Sequence, residues 1–173
     1  MSTISQVQQA PAASSGFCLF SHLFSLGARL MKMEKAGQSL VLLALRVLYG
    51  FGFAMAGWGK FGNLEGTGQY FASLGVPLPG FTAGLVATTE LVGGVLLLLG
   101  LGTRLATLPL IATMVVAMIT AHAAAIVDVE SFMAQSPYPF LLVSLVLLAF
   151  GPGAASVDRL LKGFFARRAE TES

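Results

Sequence analysis

Apolar residues run through this chain in long, nearly unbroken stretches instead of the three-and-four spacing of a water-facing helix. The runs cover residues 40–58, 81–101, 105–127 and 138–150. As helices rising about 1.5 Å per residue, the first three are long enough to cross a hydrocarbon core of about 30 Å. The fourth, about 20 Å long, spans with local thinning or with residues borrowed from 131–136. Lipid offers the backbone no hydrogen bonds, so each run must pair its own N–H and C=O groups as a helix. The pattern predicts an all-α fold: an integral membrane four-helix bundle with amphipathic surface helices flanking it.

Breakers and polar clusters set the connections. Residues 64–74 read as a short interfacial helix or re-entrant turn closed by Gly75 and Pro77. Gly100-Leu101-Gly102 predicts a tight turn, and Gly151-Pro152-Gly153 stops the fourth run. Pro109 is placed in the first turn of the third run, where a missing N–H is tolerated. Ser156 resembles an N-cap for residues 157–168, where Leu160, Leu161, Phe164 and Phe165 alternate with Arg159, Lys162, Arg167 and Arg168. Residues 1–15 are small and polar and read as a disordered tail. Residues 17–30 read as a surface helix or as disorder; a cleaved signal peptide is disfavoured because nothing basic precedes the apolar residues. Three sections are expected: a tail with an interfacial helix (1–36), the four-span domain (37–155) and a basic amphipathic tail (156–173).

Composition agrees with burial in lipid, since 55% of the residues are hydrophobic and 10% charged, against roughly 25% charged in soluble domains. The cations are unevenly placed. Four spans put both termini and the 102–104 turn on one side, with Arg29, Lys32, Lys35, Arg104, Arg159, Lys162, Arg167 and Arg168. The other side holds Lys60 with Glu65, Asp128 and Glu130. A positive-inside bias of that size predicts cytoplasmic termini and a location in a bacterial inner (plasma) membrane. A net charge of +2 without a basic, aromatic-interleaved patch argues against a nucleic-acid partner. Cys18 is the sole cysteine, which excludes a CxxC relay in this chain acting alone, and the scattered His and Cys predict no metal site.

Candidate chemistry rests on ionisable residues inside the apolar runs. Glu90 lies mid-run, where a carboxylate must be neutral, paired or facing a polar cavity. Arg46 lies about 10 Å into the first run and Glu90 about 16 Å into the second, counted from the same face. The expectation is a structural Arg46–Glu90 ion pair, with a proton-handling Glu90 as the open alternative. His122 shares a depth with Trp58 and Lys60. It is either an interfacial histidine bonded to a loop carbonyl or part of an outward pocket of Lys60, Glu90 and His122, the candidate catalytic residues. Trp58 and Tyr49 are expected to give that pocket an aromatic wall, so Lys60, Trp58 and Tyr49 are the candidate contacts for a quinone head group; a small oxyanion is the other ligand considered. Two ladders of small residues, Gly80/Gly84/Thr88 and Thr113/Ala117/Ala121/Ala125, are assigned to close helix packing.

Taken in order, Arg46, Gly57-x-Gly59-Lys60, Glu90-Leu-Val-Gly93-Gly94, Gly100-Leu-Gly-Thr-Arg104, His122 and Gly151-Pro-Gly-x-x-Ser156-x-Asp158 resemble the DoxX family of small bacterial and archaeal membrane proteins. The resemblance covers roughly residues 40–161. It implies a four-helix inner-membrane protein connected with sulfur and oxidant handling, in a family named for a subunit of a thiosulfate:quinone oxidoreductase. Without paired cysteines, catalysis is not carried over. The leading expectation is a membrane subunit or anchor of a redox or oxidative-stress assembly, with no independent activity, redox-protein partners at residues 157–168 and a homodimer considered. The alternatives are a quinone-linked oxidoreductase subunit acting on a small sulfur compound, with quinone as its cofactor, and a small-solute or proton transporter.

Overall fold

The computed structural model describes residues 15–159, 161 and 168, with side chains described from Glu34 onward. Among them every regular element is helical: α1 (Ser15–Gly62), α2 (Leu64–Ser73), α3 (Pro79–Leu99), α4 (Thr103–Thr120), a 3-10 turn (Ala123–Ala125), α5 (Val129–Ala134) and α6 (Pro137–Phe150). The described residues up to Gly37 form one unit and those from Gln38 a second, which holds the sites described below. The expected disordered tail lies outside the described residues except for Ser15, and so does most of the expected basic tail helix. Its start is described: the Arg159 N–H donates to the Ser156 hydroxyl at 3.3 Å, an N-cap contact.

Three stretches are long and apolar enough to cross a bilayer: Glu34–Gly62, Pro79–Leu99 and Thr103–Thr120. The fourth, α6, has 14 residues and is about 21 Å long. Leu48, Phe51, Met55, Phe81, Leu85, Leu105 and Ile119 are all exposed. Apolar side chains of that size, facing outward on α1, α3 and α4, belong in lipid. This is a membrane protein.

Helices α1 and α3 approach backbone to backbone. A Cβ on Gly57 would stand 2.4 Å from the Leu91 nitrogen, and one on Gly94 would stand 2.4 Å from the Ala54 nitrogen. The small residues in this contact are therefore Gly50, Ala54 and Gly57 against Ala87 and Gly94, a close approach that lets dispersion hold helices together in lipid. The ladder expected on α3 is one position away from it: Gly80 has only open space at its Cβ on α3's side, as does Gly84, and Thr88 is exposed. Around this seam, Leu42, Phe53, Leu97, Leu110, Met114, Val143 and Leu147 form the buried core.

Turn chemistry follows the glycines. Gly100 (φ +67°) and Gly102 (φ +54°) end α3 and begin α4, and the Leu101 N–H returns to the Leu96 carbonyl at 3.0 Å, the Schellman closure. Two boundaries differ from expectation. Pro109 lies inside α4, which starts at Thr103. The third span ends at Thr120, not at Val127, because Asp128 and Ser131 form a capping box that starts α5. That box pulls the intervening backbone into a 3-10 turn and an extended residue, Ile126.

Candidate functional site

One face of α1 carries Arg46, Phe53 and Lys60. Arg46 and Lys60 are 14 residues apart, about 21 Å along the axis, and each organises a different end of the bundle.

Arg46 is buried, and its guanidinium bonds only backbone carbonyls. Nε donates to Leu97 O at 2.9 Å, Nη2 to Leu98 O at 3.3 Å, and Nη1 to Pro152 O at 2.6 Å and Ala155 O at 2.8 Å. Leu97 and Leu98 belong to the last turn of α3, whose carbonyls carry the negative end of the helix dipole; Leu97 O also accepts the Gly100 N–H at 3.0 Å. The Asp158 carboxylate accepts the Gly102 N–H at 3.0 and 3.1 Å, and Arg104 Nη2 donates to Ala149 O at 3.1 Å. Four separated sequence pieces, Arg46, Gly100–Arg104, Gly151–Gly153 and Ser156–Asp158, thus close one end as a clamp.

The expected Arg46–Glu90 pair does not form. Glu90 is paired with Lys60, while Arg46 sits about two helical turns away beside the α3 terminus. The reason is register: the seam sets Gly50 against Gly94 and Gly57 against Leu91, so Glu90 lies level with the last turns of α1, beyond Gly57.

At the other end Lys60, Glu90 and His122 share a cavity of about 280 Å³. Helix α1 contributes Phe53 and Lys60, α3 contributes Thr82, Val86 and Glu90, and α4 contributes Thr113, Ala117 and Thr120 before His122. Thr113, Ala117 and Ala121, expected to pack helices closely, instead leave this room. Tyr70, Phe71 and Leu74 of α2 and its exit line the cavity too, as does Phe140 of α6. Glu90 is almost fully buried, and its Lys60 partner is about a quarter exposed.

The aromatic wall differs from expectation. Trp58 is 66% exposed, on the lipid side of α1, and neither it nor Tyr49 lines the cavity. Phe53, Tyr70, Phe71 and Phe140 do. Tyr49 stands behind Phe140, edge to face with centroids 5.2 Å apart, and Phe53 meets the same ring at 4.9 Å. Gly52 makes this possible, since a Cβ there would lie 2.9 Å from Phe140.

His122 is held by a residue that the sequence did not single out. Gln135 Nε2 donates to Ser131 O at 2.8 Å, which fixes the amide orientation and leaves Oε1 facing His122 Nδ1 at 2.7 Å. An amide oxygen only accepts, so Nδ1 carries a hydrogen and Nε2 is the nitrogen left facing a ligand. The chain of contacts begins at Asp128, which caps Ser131 N at 2.7 Å. That bond, from the Ser131 backbone, is the main reason the Asp128 carboxyl is held below its ordinary range. The signal in sequence was the Asp128-x-x-Ser131 spacing with Gln135 one turn on. Among the described residues no group of three or more His, Cys, Asp or Glu is placed to hold a metal ion.

Residues 41–123 match the DoxX family model. "Inner membrane protein YqjF" of Escherichia coli is 35% identical over 130 residues, which are 75% of this chain and 95% of that protein. "Putative oxidoreductase CatD" of Bacillus subtilis is 40% identical over 101 residues, 58% of this chain and 70% of that one. "Uncharacterized membrane protein Rv3486" of Mycobacterium tuberculosis is 35% identical over 131 residues, 69% and 80% of the two chains. No solved structure matches the chain significantly. The matched stretch runs from the first span through His122, and the chain belongs to the DoxX family.

Proposed function

We propose that this protein is a multi-pass subunit of a redox assembly in the bacterial inner membrane, with both termini cytoplasmic, and that its Lys60–Glu90–His122 cavity holds a quinone head group. The observation that carries the reading is the meeting of a cation, a carboxylate and an oriented imidazole in a cavity whose other walls are mostly apolar or aromatic, with Thr82, Thr113, Thr120 and Ser136 among them. At about 280 Å³ the space suits one ring with short substituents, close to the lower bound of small-molecule sites. Lys60 and Glu90 cancel in charge, which favours a neutral ligand. Lys60 can donate to a ring carbonyl, and His122 Nε2 can accept from a ring hydroxyl.

A bound quinone supplies two-electron, two-proton chemistry. The residues of this chain would orient its head group, exclude water and hold a proton at Glu90 or His122. The name of the Bacillus relative agrees with a redox role, and the name of the Escherichia relative agrees with the location. The uneven placement of the cations supports the orientation.

The test is to purify the full chain from a native host in mild detergent and quantify extracted quinone by mass spectrometry. Near-stoichiometric quinone, lost in Lys60→Met and His122→Ala at unchanged folded yield, supports the reading. Its absence together with stable redox-protein partners would leave the anchor role alone.

A further inference from the structure

The clamp end carries a groove of about 460 Å³ that the reading above does not use. Two guanidinium groups border it. Arg104 spends one N–H on Ala149 O and keeps the rest of its fork. Arg159 is exposed, and among the described residues its guanidinium has no hydrogen-bond or ion-pair partner. Thr103 also lines the groove, buried to 1% exposure, with a hydroxyl that has no hydrogen-bond partner. Such hydroxyls are rare enough to need a reason. The nearby carboxylate, Asp158, is already committed to the Gly102 N–H, so the groove as a whole stays cationic.

Its walls settle which anion fits. Leu105 and Phe150 border the same groove, 74% and 60% exposed, and continue the apolar surface of α4 and α6. Inorganic phosphate needs no apolar wall. A phosphate joined to acyl chains does, because its head sits on the arginines while its chains lie along Leu105 and Phe150.

We infer that this groove binds the phosphodiester head group of an anionic membrane lipid. The lipid would bridge α4 to the segment after α6, which Arg46 and Asp158 tie together from within.

The test uses the full chain in mild detergent, titrated with phosphatidylglycerol, phosphatidylcholine or inorganic phosphate, and read by native mass spectrometry and thermal shift. Phosphatidylglycerol should be retained and stabilising, with phosphatidylcholine and phosphate both ineffective. Arg104→Gln and Arg159→Gln should each weaken retention roughly tenfold, the worth of one charge-assisted hydrogen bond. The Arg159 guanidinium makes no bond among the described residues, its backbone N–H alone capping on Ser156, so Arg159→Gln is informative even if Arg104→Gln folds poorly. Equal retention of phosphatidylcholine, undiminished phosphatidylglycerol in Arg159→Gln, or stabilisation by phosphate alone would each overturn the inference.

Discussion

The two intramembrane charges, Arg46 and Glu90, should behave as energetically separate sites, which a pair of double-mutant cycles can measure. Arg46→Met removes four guanidinium–carbonyl bonds. Pro152 and Ala155 lie in the loop at the bundle end and can be rehydrated, and Leu97 O keeps the Gly100 N–H at 3.0 Å, but the α3 carbonyl of Leu98 is left without its donor. At about 1–3 kcal/mol for a buried orphan, with a smaller part from the weakened Leu97 contact, the cost should be roughly 1–4 kcal/mol. Glu90→Gln leaves the Lys60 ammonium without its carboxylate. Lys60 is partly exposed and can turn toward water, so roughly 1–2 kcal/mol is expected. Arg46 and Glu90 share no partner, so the Arg46→Met/Glu90→Gln cycle should be additive within about 0.5 kcal/mol. The Lys60→Met/Glu90→Gln cycle should couple by about 1–2 kcal/mol. Reversible unfolding in mixed micelles, titrated with a denaturing detergent, supplies the four free energies of each cycle. Coupling above about 1 kcal/mol between Arg46 and Glu90, with none between Lys60 and Glu90, would refute the register derived from the Gly50–Gly94 contact.

Three further outcomes are expected. Gly57→Ala and Gly94→Ala drive a methyl into opposing backbone and should cost about 1–3 kcal/mol, whereas Gly84→Ala, with open space at its Cβ, should be close to neutral in the same unfolding assay. Gln135→Leu should leave folded yield unchanged but free the His122 ring, lowering quinone retention while His122 NMR signals broaden or shift. The Asp128 carboxyl is held below its ordinary range by the Ser131 N–H, so its capping contribution is complete at neutral pH and is lost as pH falls through that lowered value. Hydrogen exchange of α5 should therefore accelerate in acid relative to α4, and Asp128→Asn should remove that acid-dependent step.

How much of this could be read from the chain follows from what lipid does to a helix. Sequence by itself determined the apolar spans apart from the end of the third, the Gly100–Gly102 reversal and the stop at Gly151, and it narrowed the segment after the first span to a short helix or a turn. Each is a local matter of run length, cap or left-handed backbone. It also gave the common depth of Lys60 and His122, because depth follows from counting residues. Facing and register were different. In a bilayer both the packed and the lipid-exposed sides of a helix are apolar, so the hydrophobic pattern that orients a soluble helix is nearly absent. Val92 is exposed and Leu97 buried, and nothing in their type separates them. The same blindness set Trp58 and Tyr49 in the cavity wall in place of Phe71 and Phe140, and placed the α3 packing ladder one residue off. Only the tertiary structure decided that Glu90 takes Lys60 and that Arg46 serves carbonyls. It decided them through backbone contacts at Gly50, Gly57 and Gly94, which bring α1 and α3 close in the register that sets Glu90 beside Lys60.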